Sequence, residues 1–283
     1  MDKDSVAMDH AAAVKIAEMG REMGPQVVET CRALYAHSHA DIGARVPVLA
    51  ADCAYGLHER QKLDLYRTSE ANGLPVVLFV HGGGFRMGDK TGGANVARAM
   101  AEAGFVGAAM SYRLLPDARW PEGGEDVVAA VEWLRANCTA HGGDPARIVV
   151  VGTSAGSVHI ATALRSRPDL PVAGAVLLSG IYGYTPLDER DEPYYGPDAD
   201  YPQRMPRDAV AQTEIPLFVA CAQYDPQRFQ AEFLGLMQER LALHGTMPVG
   251  TIVPGHNHYT LAMHIGGEDR RLLDEIVGFV EGC

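Results

Sequence analysis

Nowhere in its 283 residues does the chain approach the ~20 uninterrupted apolar residues that cross a bilayer, so no membrane span is expected. Positive charge is scarce too. Against 36 Asp and Glu stand 24 Lys and Arg, a net charge of −12. Such a field repels phosphate backbones and anionic lipid surfaces, which argues against nucleic acid or a membrane surface as partner. Cysteine is sparse and unpatterned. Cys31, Cys53, Cys138, Cys221 and Cys283 are odd in number and form no Cys-x-x-Cys pair, so they read as free thiols rather than a disulfide framework or a zinc site. The first residues, Met1-Asp2-Lys3-Asp4-Ser5, lack the basic start and apolar run of a secretion signal, and a cytoplasmic location is the expectation.

What is present is ordinary for a globular enzyme-sized chain: 47% hydrophobic and 21% charged residues. This length suits one large α/β domain. Short apolar runs without polar alternation recur at Val76–Val80, Phe105–Met110, Ile148–Val151, Ala175–Leu178 and Leu217–Ala220. Runs of this kind form strands buried on both faces. Helical stretches separate them at Ala94–Ala103, Glu125–Asn137, Ala155–Arg165 and, after the fifth run, Arg228–Leu243. The alternation predicts βαβ units and a mostly parallel central sheet with helices on both faces, preceded by an early strand around Leu63–Tyr66. Residues Ser5 to His39 are poor in strand formers and broken by Gly24-Pro25, which predicts two helices. Residues 1–45 therefore read as an N-terminal helical extension and residues 46–283 as the main domain. The Tyr-, Pro- and Asp-rich segment from Ile181 to Pro216 breaks the pattern and reads as a long loop or small excursion.

Two glycine-rich motifs carry chemistry. Gly152-Thr153-Ser154-Ala155-Gly156 follows a strand and opens a helical stretch. In that setting Gly-x-Ser-x-Gly is a nucleophile elbow. A sharp turn pushes the serine hydroxyl into the cleft, and the following helix N-terminus favours developing negative charge. His81-Gly82-Gly83-Gly84-Phe85 lies at the end of the Val76–Val80 strand. Its glycines let backbone N–H groups approach a reacting carbonyl. Gly83 and Gly84, with Ala155 after the elbow, are the candidate oxyanion donors. No Gly-x-Gly-x-x-Gly occurs there, so a dinucleotide site is not indicated.

The two motifs in this order and at this separation resemble the hormone-sensitive-lipase-like branch of the α/β-hydrolases, which includes bacterial carboxylesterases and has arylformamidase relatives. The resemblance runs from about Tyr55 to Val280. It includes Ser111-Tyr112-Arg113-Leu114-Leu115-Pro116, similar to the family's Asp-Tyr-Arg-Leu-Ala-Pro, and Gly143-Asp144-Pro145-Ala146-Arg147 ahead of the elbow strand. Ser111 replaces the usual Asp, and Ser157 the usual second Gly after the elbow. These departures bear on local bracing and helix packing.

The resemblance implies an α/β-hydrolase fold with triad members in the order Ser, Asp or Glu, His. Asp225 in Gln223-Tyr224-Asp225-Pro226 lies at a strand's C-terminal end, where the acid belongs. Two histidines compete for the base in Pro254-Gly255-His256-Asn257-His258-Tyr259. His258, followed by an aromatic, is preferred, and His256 is the alternative. His264 reads as structural. The His-x-His pair lacks the further ligands a metal needs, so neither metal nor cofactor is expected. Phe85, Tyr182, Tyr184, Tyr194 and Tyr195 are candidate walls of a substrate pocket suited to small or medium acyl or aryl groups. The expected reaction is hydrolysis of a small-molecule carboxylic ester through an acyl-enzyme. An amidase or arylformamidase would use the same triad, and a non-catalytic binding protein on this fold is the remaining alternative. A homodimer stays open.

Overall fold

The computed structural model describes residues 8–283. Two helices come first, α1 (His10–Met19) and α2 (Pro25–Arg45), parted by the Gly24-Pro25 break, and the first strand begins directly after them. Asp9 caps α1 by accepting from the Ala11 and Ala12 N–H groups.

Eight strands form one sheet: β1 (Val48–Ala54), β2 (Lys62–Tyr66), β3 (Leu74–Val80), β4 (Val106–Met110), β5 (Gly143–Thr153), β6 (Gly174–Leu178), β7 (Leu217–Tyr224) and β8 (Val249–Asn257). Their spatial order is β1-β2-β4-β3-β5-β6-β7-β8. The two pairings at the first edge are antiparallel and the rest parallel. Between the strands lie α3 (Ala94–Glu102), α4 (Glu122–Asn137), α5 (Ala155–Ser166) and α9 (Gln227–His244), with α11 (Arg271–Gly282) last.

The apolar runs are explained by the two faces. Val76, Leu78, Val80, Ile148 and Val150 pack with Val127, Leu134, Ile160 and Leu236 from α4, α5 and α9. Their strand neighbours Val77, Phe79, Val149 and Val151 pack with Val96, Met100, Leu272 and Ile276 from α3 and α11. A strand covered on both faces has no polar side to show.

Two features differ from the sequence expectation. Strand β1 carries no recognisable strand pattern, because five of its seven residues are exposed and its register with β2 shifts twice. The segment from Ile181 to Pro216 is no plain loop. It holds the short helices α6 (Glu192–Tyr195), α7 (Tyr201–Arg204) and α8 (Arg207–Gln212). Its start is fixed by Glu232 of α9, fully buried, whose carboxylate accepts the N–H groups of Tyr182, Gly183, Tyr184 and Thr185 at 2.7–3.2 Å. A short helix, α10 (Thr260–Met263), follows β8. No helix among the described residues is long and apolar enough to cross a membrane.

Candidate functional site

Ser154 sits where β5 turns into α5, with φ 51° and ψ −119°, a left-handed backbone that non-glycine residues seldom adopt. The neighbouring glycines are needed for clearance. A Cβ on Gly156 would lie 2.0 Å from the Val80 carbonyl oxygen, and one on Gly152 would lie 2.6 Å from the Ser157 nitrogen. Ser157 uses its hydroxyl to tie the elbow down, donating to the carbonyls of Gly152 (2.8 Å) and Leu178 (3.0 Å). A glycine there could not make this brace.

Three side chains from three separate turns converge. His258 Nε2 is 2.9 Å from Ser154 Oγ, and His258 Nδ1 is 2.7 Å from Asp225 Oδ1. Asp225 is fully buried. Its second oxygen accepts the Ser179 hydroxyl at 2.6 Å and the Ala222 N–H at 2.7 Å. These contacts fix the carboxylate in place, so that its other oxygen faces the imidazole Nδ1. The Phe229 ring lies 4.1 Å from the His258 ring, centroid to centroid, and confines it. Such a chain of contacts lets the imidazole take the serine proton while the carboxylate stabilises the resulting charge. Ser179 has no motif to betray it. Only its long-range contact with Asp225 marks it.

His256 takes another position. It is fully buried, with Nδ1 3.2 Å from Thr260 Oγ1 and Nε2 3.3 Å from Asp269 Oδ2, and its ring stacks on His264 at 3.9 Å. Burial pushes its pKa down and that of His264 to about 3. Asp269, held below the usual carboxylate range by Arg271 and His256 against the opposing effect of burial, anchors this group. His264 is fully buried, its Nδ1 2.8 Å from the Thr260 carbonyl oxygen.

The loop after β3 turns through Gly83 (φ 138°), Gly84 (φ 59°) and Phe85 (φ 66°). A Cβ on Gly83 would stand 1.9 Å from the Met87 carbonyl oxygen. Among the described residues no acceptor takes the N–H groups of Gly83, Gly84 or Ala155. They are free donors at this end of the sheet. His81 opens the loop, its Nδ1 2.6 Å from the Gly82 oxygen. Burial holds its pKa down at about 4, so the ring is neutral near pH 7. Tyr112 stacks on that ring at 4.2 Å and donates to the His81 carbonyl. Arg113 pairs with buried Asp126 at 2.7 Å and with Glu122 at 2.9 Å, bracing this end of the sheet.

The five aromatic residues expected as pocket walls divide. Phe85, Tyr194 and Tyr195 share a cluster with Ala155, Ile181 and Phe229, beside Ser154. Tyr182 is buried in the core under α4, α5 and α9 with Ile160 and Leu236, and Tyr184 packs against that core with Arg207 over its ring at 4.6 Å. Neither belongs to the cluster beside Ser154. The Glu232 carboxylate ties their backbone to α9. Among the described residues no group of three or more His, Cys, Asp or Glu side chains is arranged to hold a metal ion.

A family model described as BD-FAE matches residues 63–166. The carboxylesterase NlhH of Mycobacterium tuberculosis is 37% identical over 131 residues, 46% of this chain and 40% of that protein. A probable isoprenylcysteine alpha-carbonyl methylesterase, ICMEL1, of Oryza sativa subsp. japonica is 42% identical over 108 residues, 38% of this chain and 25% of that protein. The chain thus spans between a quarter and two fifths of these curated relatives. Among solved structures, an esterase of the archaeon Pyrobaculum calidifontis is 25% identical with a TM-score of 0.62, covering 96% of each chain. Esterase B of Lactobacillus rhamnosis superposes at a TM-score of 0.71 with 19% identity, over 92% of this chain and 96% of that one.

Proposed function

We propose that this chain is an α/β-hydrolase of the carboxylesterase kind and that it hydrolyses carboxylic esters of small to medium acyl or aryl groups through Ser154, His258 and Asp225. The observation that carries the reading is the continuous path from Ser154 Oγ through His258 to Asp225, with links of 2.9 and 2.7 Å.

In this mechanism His258 Nε2 accepts the Ser154 proton as the oxygen attacks the ester carbonyl. Asp225 holds the Nδ1–H and stabilises the imidazolium. The carbonyl oxygen, now negative, is received by the N–H groups of Gly83, Gly84 and Ala155, each worth ~3–4 kcal/mol where such donors have been removed in other hydrolases. His258 gives its proton to the leaving alcohol. A water deprotonated by the same imidazole then releases the acid and restores the serine. The reaction as written uses only the chain's own side chains and backbone N–H groups, and water.

The N-terminal helices act in this reading as a cover for the His258 turn. Tyr259 Oη accepts the Gly24 N–H at 3.1 Å, and Cys31 Sγ on α2 lies 3.7 Å from Asn257 Oδ1. The five unpaired thiols suit a reducing compartment such as the cytoplasm.

The test is turnover of p-nitrophenyl acetate, butyrate and octanoate beside the matched anilides, by wild type and Ser154→Ala. Ester turnover that vanishes in the variant supports the reading. Turnover of anilides alone would move the activity to the amidases. Equal turnover by both proteins would remove Ser154 from the mechanism.

A further inference from the structure

We propose that Tyr194, delivered by the segment between β6 and β7, is a positioning residue that braces the oxyanion loop through Phe85. The proposal rests on the serine-esterase reading above and adds a function for that segment.

Phe85 closes the His-Gly-Gly-Gly loop with φ 66°. Glycine tolerates that conformation, but a bulky L-residue keeps it only when its surroundings enforce it. Those surroundings come mainly from residues distant in sequence. The Tyr194 ring lies flat on the Phe85 ring, 4.0 Å away and within 4° of parallel. Tyr195 and His159 close on its edges, both at 5.5 Å. The Leu115 N–H donates to the Phe85 carbonyl at 2.9 Å. Phe85 is buried, so its ring is an anchor and not an open wall of the pocket.

Tyr194 also reaches the nucleophile's own helix. Its hydroxyl shares a 3.3 Å hydrogen bond with Nδ1 of His159, five residues past Ser154 in α5. The His159 ring packs edge-on against Tyr112 at 4.4 Å, and Tyr112 stacks on His81, which opens the same loop. A Cβ on Gly123 would lie 2.2 Å from the His159 ring, so α4 leaves room for this imidazole only because a glycine stands there. Tyr194 thus bears on both ends of the loop and on α5. Displacing it frees Phe85 to relax, and the Gly83 and Gly84 N–H groups turn away from the oxyanion position.

The test compares Tyr194→Leu, Tyr194→Phe and wild type on p-nitrophenyl butyrate. It adds inhibition by a trifluoromethyl ketone, which forms a tetrahedral oxyanion adduct, and by its methyl ketone analogue as a ground-state control. Tyr194→Leu is expected to lower kcat about tenfold or more, with KM within about twofold, and to lose trifluoromethyl ketone affinity by a similar factor while methyl ketone affinity stays. Tyr194→Phe keeps the stack and is expected within about threefold of wild type. A rise in KM at constant kcat would make Tyr194 a substrate wall and overturn the proposal. So would a lowered Tm with unchanged kinetics, which is plain packing. Phe85→Gly gives a second route that accommodates φ 66° without strain: loss of kcat with the fold intact supports the brace, and full activity overturns it. A wild type inert toward every ester would instead remove the esterase reading, whatever the Tyr194 variants do.

Discussion

Acidification from pH 7 to pH 5 should destabilise this fold steeply, through histidines rather than carboxylates. Burial holds His81 at about 4, and His159 and His264 at about 3, against 6.5 for a free imidazole. A folded-state pKa below the unfolded one means that the unfolded chain takes up protons first. Stability is therefore complete above about pH 6.5 and falls as pH drops toward the folded values. At pH 5 each ring lies about 1.5 units below its unfolded pKa, or ~2 kcal/mol at 1.36 kcal/mol per unit. Three such rings give ~6 kcal/mol, comparable with the whole stability of an ordinary domain, about 5–15 kcal/mol. His256 is shifted in the same direction and adds to the slope. Asp188 and Asp269, held low by arginines, contribute only in stronger acid and cannot produce a loss in this window. Urea denaturation at several pH values is the assay. With an m-value of ~3 kcal/mol/M the midpoint should fall by ~2 M between pH 7 and 5. His264→Phe should flatten the slope by about a third. A slope below one proton between pH 5 and 6.5, or folded-state NMR titration of these rings near 6.5, would refute the reasoning.

Two further substitutions separate chemistry from architecture. Asp225→Asn keeps the size of the buried side chain but loses the charge that fixes the His258 tautomer, and kcat should fall by ~10⁴ with the circular dichroism spectrum unchanged. Activity within tenfold of wild type would remove Asp225 from the triad. Glu232→Ala leaves the buried N–H of Tyr182 and the half-buried N–H groups of Gly183, Tyr184 and Thr185 without their acceptor. At ~1–3 kcal/mol for each unpaired donor, the loss should be several kcal/mol after partial rehydration. It should appear as protease cleavage within residues 181–216, and cleavage kinetics matching wild type would contradict it.

The central strands were legible because each is covered on both faces, which leaves an unmistakable apolar run. Ser154 was legible because its turn admits only glycine two places before and after, so the geometry is written into the local sequence. Strand β1 was not, since an exposed, bulged edge selects no alternation. Ser179 and Glu232 act over separations of 46 and about 50 residues, which no local pattern encodes. The aromatic after His258 favours it over His256, but the physical separation of the two comes from the turn at the end of β8, because on a regular strand residues two places apart would share a face. Tyr182 and Tyr184 lie outside the cluster beside Ser154 for a related reason. Proximity in sequence to the site does not say to which side of the backbone a ring packs, and these two pack in or against the core under α4, α5 and α9.

The most direct test is active-site labelling. Incubation with a fluorophosphonate, followed by peptide mass spectrometry, should place one stoichiometric adduct on Ser154, abolish ester turnover in proportion to labelling, and leave Ser154→Ala unmodified. Stoichiometric labelling at another residue, or turnover that persists in fully labelled protein, would contradict the assignment of Ser154 as the nucleophile.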